Sequence, residues 1–499
     1  MVSSAGKTKN ENYGLLILAI SLATFMSAID ATIVNIALPT ISESFNISSS
    51  SVSWVATAYL LVMAGCVLIF GKISDIIGFK KVFLAGFLVF TTGSFACGFI
   101  PDILNSFYSL IVSRGFQGIG GAMITAIAPA MVTAFIPLER KAKAMGIIMT
   151  ISALGTAIGP TIGGILTQYL SWNWIFYINV PVGIVAILLG SKVIPSRLTG
   201  DKKDLKGFDS SGAALIFIGL ATLLFAMSEG QTLGWTNPAI IASFAVAAIS
   251  LCGFAWNELH RTEPLLELRL FKSKNFVALN LIMALLFLSF AGINYLLPFY
   301  LEYVQGYDSS TAGIILTSLS FAMMISGLLA GVLYNKIGGK ILCILAAAIT
   351  TLGYFMITHL HSDTTTAFVI ACLVVIGLGL GFMVTPNSNL ILNSVARKYQ
   401  GMVSSLTGLE RFAPMTIGIA IFNIVFIQGM LAVATRRGVT QEAPVNIKLD
   451  VISSGFDLAF FFAFLVAIVI LVLTLVIKQE VHPDYLNENE EDKVSAEIM

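Results

Sequence analysis

The sequence predicts an all-α polytopic membrane protein, and three observations predict it. Of 499 residues, 57% are hydrophobic and 11% charged, and the mean hydropathy is +0.90, whereas a water-soluble globule needs a mixed polar surface. Apolar runs of about 18 to 25 residues, each long enough to cross a hydrocarbon core of about 30 Å as a helix, recur fourteen times. These runs lack the apolar-polar alternation of membrane-barrel strands.

The runs fall at 13–37, 51–70, 82–100, 107–131, 144–167, 174–193, 211–228, 239–257, 277–300, 312–333, 341–358, 366–389, 402–428 and 456–477. Alternating spans with both termini cytoplasmic put every lysine and arginine on the inner side except five. Arg436, Arg437 and Lys448 fall in outer loops, and Arg114 and Arg411 inside spans. That asymmetry is the positive-inside tendency and supports the span count. The first run exceeds the apolar region of a signal peptide and shows no cleavage site, so it is expected to be a retained helix.

The net charge of +1 gives no ground for expecting nucleic acid as a partner. Cys66, Cys97, Cys252, Cys343 and Cys372 all lie in apolar spans without metal-ligand spacing, and small packing residues are the expectation. No histidine lies mid-span to relay protons, and no metal or organic cofactor is expected. Neither a phosphate loop nor a nucleophile-base arrangement marks an enzyme.

Two segments break the rhythm. Pro195 to Asp209 is a charged linker, and Asn257 to Asn275 mixes "EPLLELRLF" with basic residues in a way that suits the inner membrane surface. They bracket two helices, and removing those leaves six spans on each side. The expected organisation is an N-terminal bundle over 1–194, a linker with two extra spans over 195–275, a C-terminal bundle over 276–478 and a solvated acidic tail over 479–499. The outer bundles are duplicates. In "GKISDIIGFK", Gly71, Asp75, Gly78 and Lys80 map at an offset of 260 onto Gly331, Asn335, Gly338 and Lys340 of "GVLYNKIGGK", and Gly121, Met123 and Thr125 map onto Gly381, Met383 and Thr385.

Both copies of this Gly-x-x-x-Asp/Asn-x-x-Gly-x-Lys stretch fall between the second and third spans of their half. In place and spacing they resemble the signature loop of the major facilitator superfamily, where glycines allow tight turns and a carboxylate can rest against a helix N-terminus. "RGFQGIGGA", with Arg114 and Gln117, resembles the Arg-x-x-Gln-Gly motif of proton-coupled members. "GTAIGPTIGG" resembles the antiporter motif, with Gly155, Gly159, Pro160, Gly163 and Gly164; glycines four apart line one helix face, and the proline bends the span. "IDATIVNIALP" and "WNWIFYINVPVG" resemble blocks of the fourteen-helix drug:proton antiporter family of the EmrB/QacA type. The resemblance implies a major facilitator fold of 6 + 2 + 6 helices, protons as coupling ion and export of small organic molecules from the cell membrane. It is weak on substrate: an amphipathic or cationic drug, a lipid or an endogenous metabolite all remain open, as does a periplasmic adaptor partner. A membrane receptor that does not transport is disfavoured by the retained motifs.

Asp30 lies roughly 12 Å below the outer end of its span, and Arg114 roughly 10 Å deep in its own, from a rise of about 1.5 Å per residue. Opposite charges at one depth are expected to pair. Intramembrane charges mark ion or substrate pathways, and desolvation favours the neutral carboxyl while a guanidinium favours the carboxylate. A site whose hydration changes can therefore load and release a proton; a static pair pinning two helices is the alternative. Glu410 and Arg411, one apart on the thirteenth span, cannot share a face. Glu410 is a candidate second proton site, a cation anchor or a packing ion pair. Asn35, Tyr59, Asn294, Asn387 and Arg411 are candidate cavity residues, and Glu229, Glu302 and Asp308 are expected on the solvated outer rim. At the offset position of Arg114 the C-terminal half has Val374, which weights proton chemistry to the N-terminal half.

Overall fold

The structure, a computed structural model, describes residues 13–136, 138–195, 209–261, 264–396, 399–438 and 445–480. Among these, fourteen helices are long and apolar enough to cross a membrane. In the N-terminal half they are α1 (Tyr13–Phe45), α2 (Trp54–Ile77), α3 (Phe79–Leu104), α4 (Phe107–Phe135), α5 (Leu138–Tyr169) and α6 (Asn179–Val193), whose 20-residue span begins at Trp174 in the short helix just before it. The inserted pair is α7 (Ser210–Leu233) and α8 (Pro238–His260). The C-terminal half holds α9 (Lys274–Phe299), α10 (Ser309–Ile337), α11 (Gly339–Ile357), α12 (Thr366–Asn393), α13 (Gln400–Arg437) and α14 (Val445–Val476). Many overrun the apolar runs that predict them, because a helix continues past the hydrocarbon until a cap or a glycine ends it.

The duplication is visible in backbone conformation. α2 and α3 are separated by Gly78 alone, at φ 91°, and α10 and α11 by Gly338, at φ 84°. Side-chain-bearing residues avoid this region, so both turns require glycine. Gly71 and Gly331 do not serve the turn as expected: they lie inside α2 and α10, and a methyl group at Gly331 would meet open space. The side chains of Asp75 and Asn335 lie outside the described residues, and so does the contact with a helix N-terminus expected of a carboxylate in this loop. Gly121 and Gly381 repeat a second contact, approaching Met63 on α2 and Met323 on α10, their own counterparts at the same offset.

Within the first half α1 packs on α5, α3 on α4 and α6, and α2 on α4; within the second, α10 packs on α12, α11 on α12 and α14, and α9 on α13. The halves meet through α5 against α10 and α2 against α13. Backbone approach without steric cost needs small residues where there is no hydrophobic force between helices in lipid. A Cβ at Gly155 would stand 2.9 Å from the Phe25 carbonyl, one at Gly163 2.8 Å from the Ile33 carbonyl, and one at Gly159 would overlap the Thr32 hydroxyl, so this glycine face fits along α1. The next face of α5 serves the other half. A Cβ on Gly164 would strike the Ser309 carbonyl and one on Gly313 the Pro160 carbonyl, while Thr161 and Thr317 share a 2.6 Å hydrogen bond.

α7 and α8 pair with one another, and α7 lies against α2 and α13. Glu229, expected on the solvated rim, instead accepts a 2.7 Å hydrogen bond from the Trp54 indole and ties α7 to α2. At the other end of α7, Asp209 caps the helix and collects the Gly212 amide (2.9 Å), the Ser211 hydroxyl (2.7 Å), the Asn257 amide (2.5 Å) and Arg261 (3.1 Å). The charged linker (196–208) and the acidic tail from 481 lie outside the described residues.

Burial alone would raise the Asp209 carboxyl, but the Gly212 amide, Ser211, Arg261 and Asn257 outweigh it and hold the group below the usual aspartate value. A depressed carboxylate contributes stability that is fully present above its unfolded pKa and lost as pH falls through the folded one. Asp209→Ala is expected to lower the melting temperature in detergent most at neutral pH, with the difference from wild type shrinking on acidification. A pH-independent difference would assign the effect to packing.

Candidate functional site

α1, α3, α4 and α6 converge on the Asp30 carboxylate. Asp30 is fully buried and Arg114 is 1% exposed. Arg114 donates to Asp30 Oδ2 at 2.9 Å, to Gln117 Oε1 at 2.6 Å and through Nε to the Val55 carbonyl at 2.9 Å. The Gln117 amide donates to Asp30 Oδ1 at 2.9 Å and to Ser94 at 2.7 Å. Asn179 Nδ2 donates to the same Oδ1 at 3.0 Å. The guanidinium also lies over the ring of Tyr59, 4.2 Å from its centroid.

Helix spacing explains the arrangement. Arg114 and Gln117 are three apart and share a face of α4. α3 closes on them because Gly93 leaves no side chain: a Cβ there would stand 2.7 Å from the Gln117 Cα. α6 closes likewise on α3, where Gly183 fits against Thr91. A buried charge needs pairing and satisfied hydrogen-bonding sites, and both are present.

The structure therefore brings Asp30, Arg114 and Gln117 together. It adds Asn179 and Ser94, neither of which stood out in the sequence as a site residue. Asn179 carries a legible signal: it is a carboxamide within an apolar span, and such groups seek a polar partner inside the bundle. Ser94 carries none, since serine in a membrane helix usually satisfies itself on its own backbone.

A cavity of about 250 Å³ lies between the halves. Asn35, Tyr59, Asn294 and Arg411 line it, and so does Arg114, whereas Asp30 sits one layer behind the wall. Asn387, expected on this wall, is absent from it: it is fully buried and donates to the Leu279 carbonyl at 2.9 Å, joining α12 to α9. Glu410 is also off the wall. It is 8% exposed and its Oε2 has no hydrogen-bond partner, because its neighbour Arg411 takes the cavity face and adjacent residues diverge by about 100° around a helix. Among the described residues the wall therefore has no carboxylate to anchor a cation, contrary to the cation-anchor expectation for Glu410.

At the end of the bundle away from Tyr13 and Val476, contacts between the halves seal them against each other. Tyr295 donates to the Ser49 carbonyl, Thr40 and Ser309 share a 3.4 Å contact, and the Gly164 and Gly313 crossings lie alongside. In the second half, the offset counterparts of Tyr59, Arg114 and Gln117 are Leu319, Val374 and Gly377. Without the polar trio, α10 and α12 pack backbone against backbone at Gly377, where a Cβ would strike the Leu319 carbonyl.

A buried ionisable pair at the wall of a central cavity, in a duplicated scaffold of membrane-length helices, fits a membrane transporter. The family model described as "Major Facilitator Superfamily" matches residues 20–419, and the chain belongs to that superfamily. It is 33% identical over 417 residues to the riboflavin transporter RibZ of Clostridioides difficile, covering 83% of this chain and 89% of that protein. To the multidrug transporter protein MdtP of Bacillus subtilis it is 32% identical over 425 residues, covering 85% and 77%. Among solved structures, a D-xylose-proton symporter superposes with a TM-score of 0.66 at 12% identity, covering 94% of this chain and 100% of that one. A bacterial homolog of the human lysosomal transporter Spinster, inward-facing and occupied, gives 0.64 at 15%, covering 94% and 97%. At such identities these two show the fold alone.

Asn179→Ala removes one of two donors to Asp30 Oδ1 and is expected to cost about 1.5–3 kcal/mol, the range for hydrogen bonds to charged groups, read as a lower melting temperature. In an Asp30→Asn background the same change is expected to cost less. Equal cost in both backgrounds would show that Asn179 acts through packing alone.

Proposed function

We propose that the chain is a proton-coupled antiporter that exports small organic molecules across the cell membrane by alternating access. The observation that carries this reading is the position of Asp30: fully buried, held by Arg114, Gln117 and Asn179, and one layer behind a cavity wall that Arg114 itself forms. A proton arriving at Asp30 neutralises the acceptor that holds Arg114, so the wall changes charge and hydrogen bonding as the proton enters. That change is the differential interaction a ligand needs to bias two conformations.

The lysine and arginine distribution supports a cytoplasmic position for both ends of the chain, and on this reading the sealed end is extracellular and loading is from the cytoplasmic side. The glycine face of α5 supports exchange of conformations: one row holds α1 within its half, and the Pro160–Gly164 row closes on α10 of the other. Breaking only the second row opens the sealed end while the half stays intact. Names of relatives, including a multidrug resistance protein of Mycobacterium tuberculosis and a puromycin resistance protein of Streptomyces alboniger, support export of organic compounds. RibZ supports a second reading, carriage of an endogenous metabolite on the same scaffold, and the uncompensated Arg411 on the wall favours it over a cationic drug.

In proteoliposomes with an imposed pH gradient, Asp30→Asn is expected to reduce gradient-driven transport to background while the protein stays monodisperse and inserted. Asparagine keeps the shape and a hydrogen-bonding oxygen but cannot exchange a proton. Wild-type transport by this variant would overturn the proton role.

A further inference from the structure

Among the described residues the cavity wall carries two charged side chains, and both are arginines. Arg114 is neutralised by Asp30. Arg411 has no ion pair or hydrogen bond among the described residues; its Nε is buried without an acceptor. The rings of Phe287 and Phe412, each 5.7 Å from the guanidinium carbon, hold it in place. Glu410 faces away. A charge inside a membrane protein is costly unless paired or wetted, and Arg411 has donors with no acceptor but what enters the cavity.

A lone guanidinium between apolar walls creates a positive potential that repels cations, and its planar fork matches paired acceptors. The rest of the wall suits a flat apolar body. Phe287 and Phe290 present rings and Met323 and Met324 adaptable thioethers, which fit irregular aromatic surfaces. Asn35 and Asn294 add neutral amides.

Exchange with protons constrains the charge further. While Asp30 is ionised, it and Arg114 cancel; a proton on Asp30 leaves Arg114 as a second positive group on the same wall. An anion would then bind the proton-loaded state more tightly, and this linkage carries both ligands together instead of exchanging them. Resting on the antiport proposed above, we infer that the substrate is an uncharged, planar aromatic molecule that presents paired acceptors, such as carbonyl oxygens, to Arg411.

Three benzo[c]cinnolines of one planar ring system, whose two adjacent ring nitrogens are paired acceptors on one edge, test this by calorimetric titration of the purified protein in detergent: the neutral 2-hydroxymethyl compound, the 2-sulfonate and a trimethylammonium-methyl analogue. The neutral compound is expected to bind at least about tenfold more tightly than the ammonium, and Arg411→Met to weaken it by about tenfold or more, the scale of a hydrogen bond to a charged donor. Arg411→Lys, which keeps the charge and loses the fork, is expected to retain rejection of the ammonium and still bind the neutral compound less tightly than wild type. Sulfonate binding is expected to tighten on acidification. The inference is overturned if the ammonium binds as tightly as the neutral compound, if neither Arg411 variant changes neutral binding, or if acid weakens the sulfonate, which would make an anion the exchanging species. Because no gradient is imposed, the Arg411 result stands even where the Asp30→Asn transport assay fails to show proton coupling, so the two failures are distinguishable.

Discussion

The structure turns on one buried carboxylate and the donors that surround it. Asp30 receives hydrogen bonds from Arg114, Gln117 and Asn179, which come from α4 and α6, with Ser94 of α3 behind Gln117. Taking one partner from such a pair leaves a buried charge uncompensated, at about 3–5 kcal/mol. That constraint explains why four helices meet here without bulky residues between them. Gly93 and Gly183 are small where Gln117 and Thr91 must come close, so the polar cluster and the tight packing are two sides of one requirement.

The duplicated halves share a backbone plan and divide the chemistry. Gly78 and Gly338 adopt nearly the same left-handed turn, and Gly121 and Gly381 approach equivalent methionines. The polar trio of the first half becomes Leu319, Val374 and Gly377 in the second. With nothing ionisable to solvate, α10 and α12 close on each other. The second half contributes its own charge from another helix, Arg411 of α13, which faces the cavity and not the bundle interior.

Two kinds of contact hold the halves together at the sealed end, and they differ in how easily they part. Hydroxyl pairs such as Thr161 with Thr317 can be replaced by water at little net cost, since a hydrogen bond to solvent substitutes for each. The glycine crossings at Gly164 and Gly313 provide close van der Waals contact without interlocking side chains. An interface of this type separates without unpacking a core, as alternating access demands. The inserted pair α7 and α8 stands beside this interface, joined to α2 through Glu229 and Trp54.

Span number, duplication and the Asp30–Arg114 pair were legible in the sequence because each depends on a local rule: apolar run length, a fixed offset, and depth counted along a helix. Gln117 followed from its motif. What the sequence could not decide was rotation, meaning which face of each helix looks at the cavity. A mean-apolar span has no polar face to orient it, so Asn387 and Asn294, similar on paper, went to different places: one to the buried seam of α12 and α9, the other to the wall. The same ambiguity left Glu410 open between a proton site, a cation anchor and a packing ion pair, and packing put Arg411, already a cavity candidate, on the wall and Glu410 off it. Asn179 and Ser94 join the site only because Gly93 and Gly183 let α3 and α6 close in, and that approach depends on contacts between helices distant in sequence. Sequence by itself set the spans, the repeat and the depth of the charges; tertiary packing decided which of them share a chamber and which charge faces it.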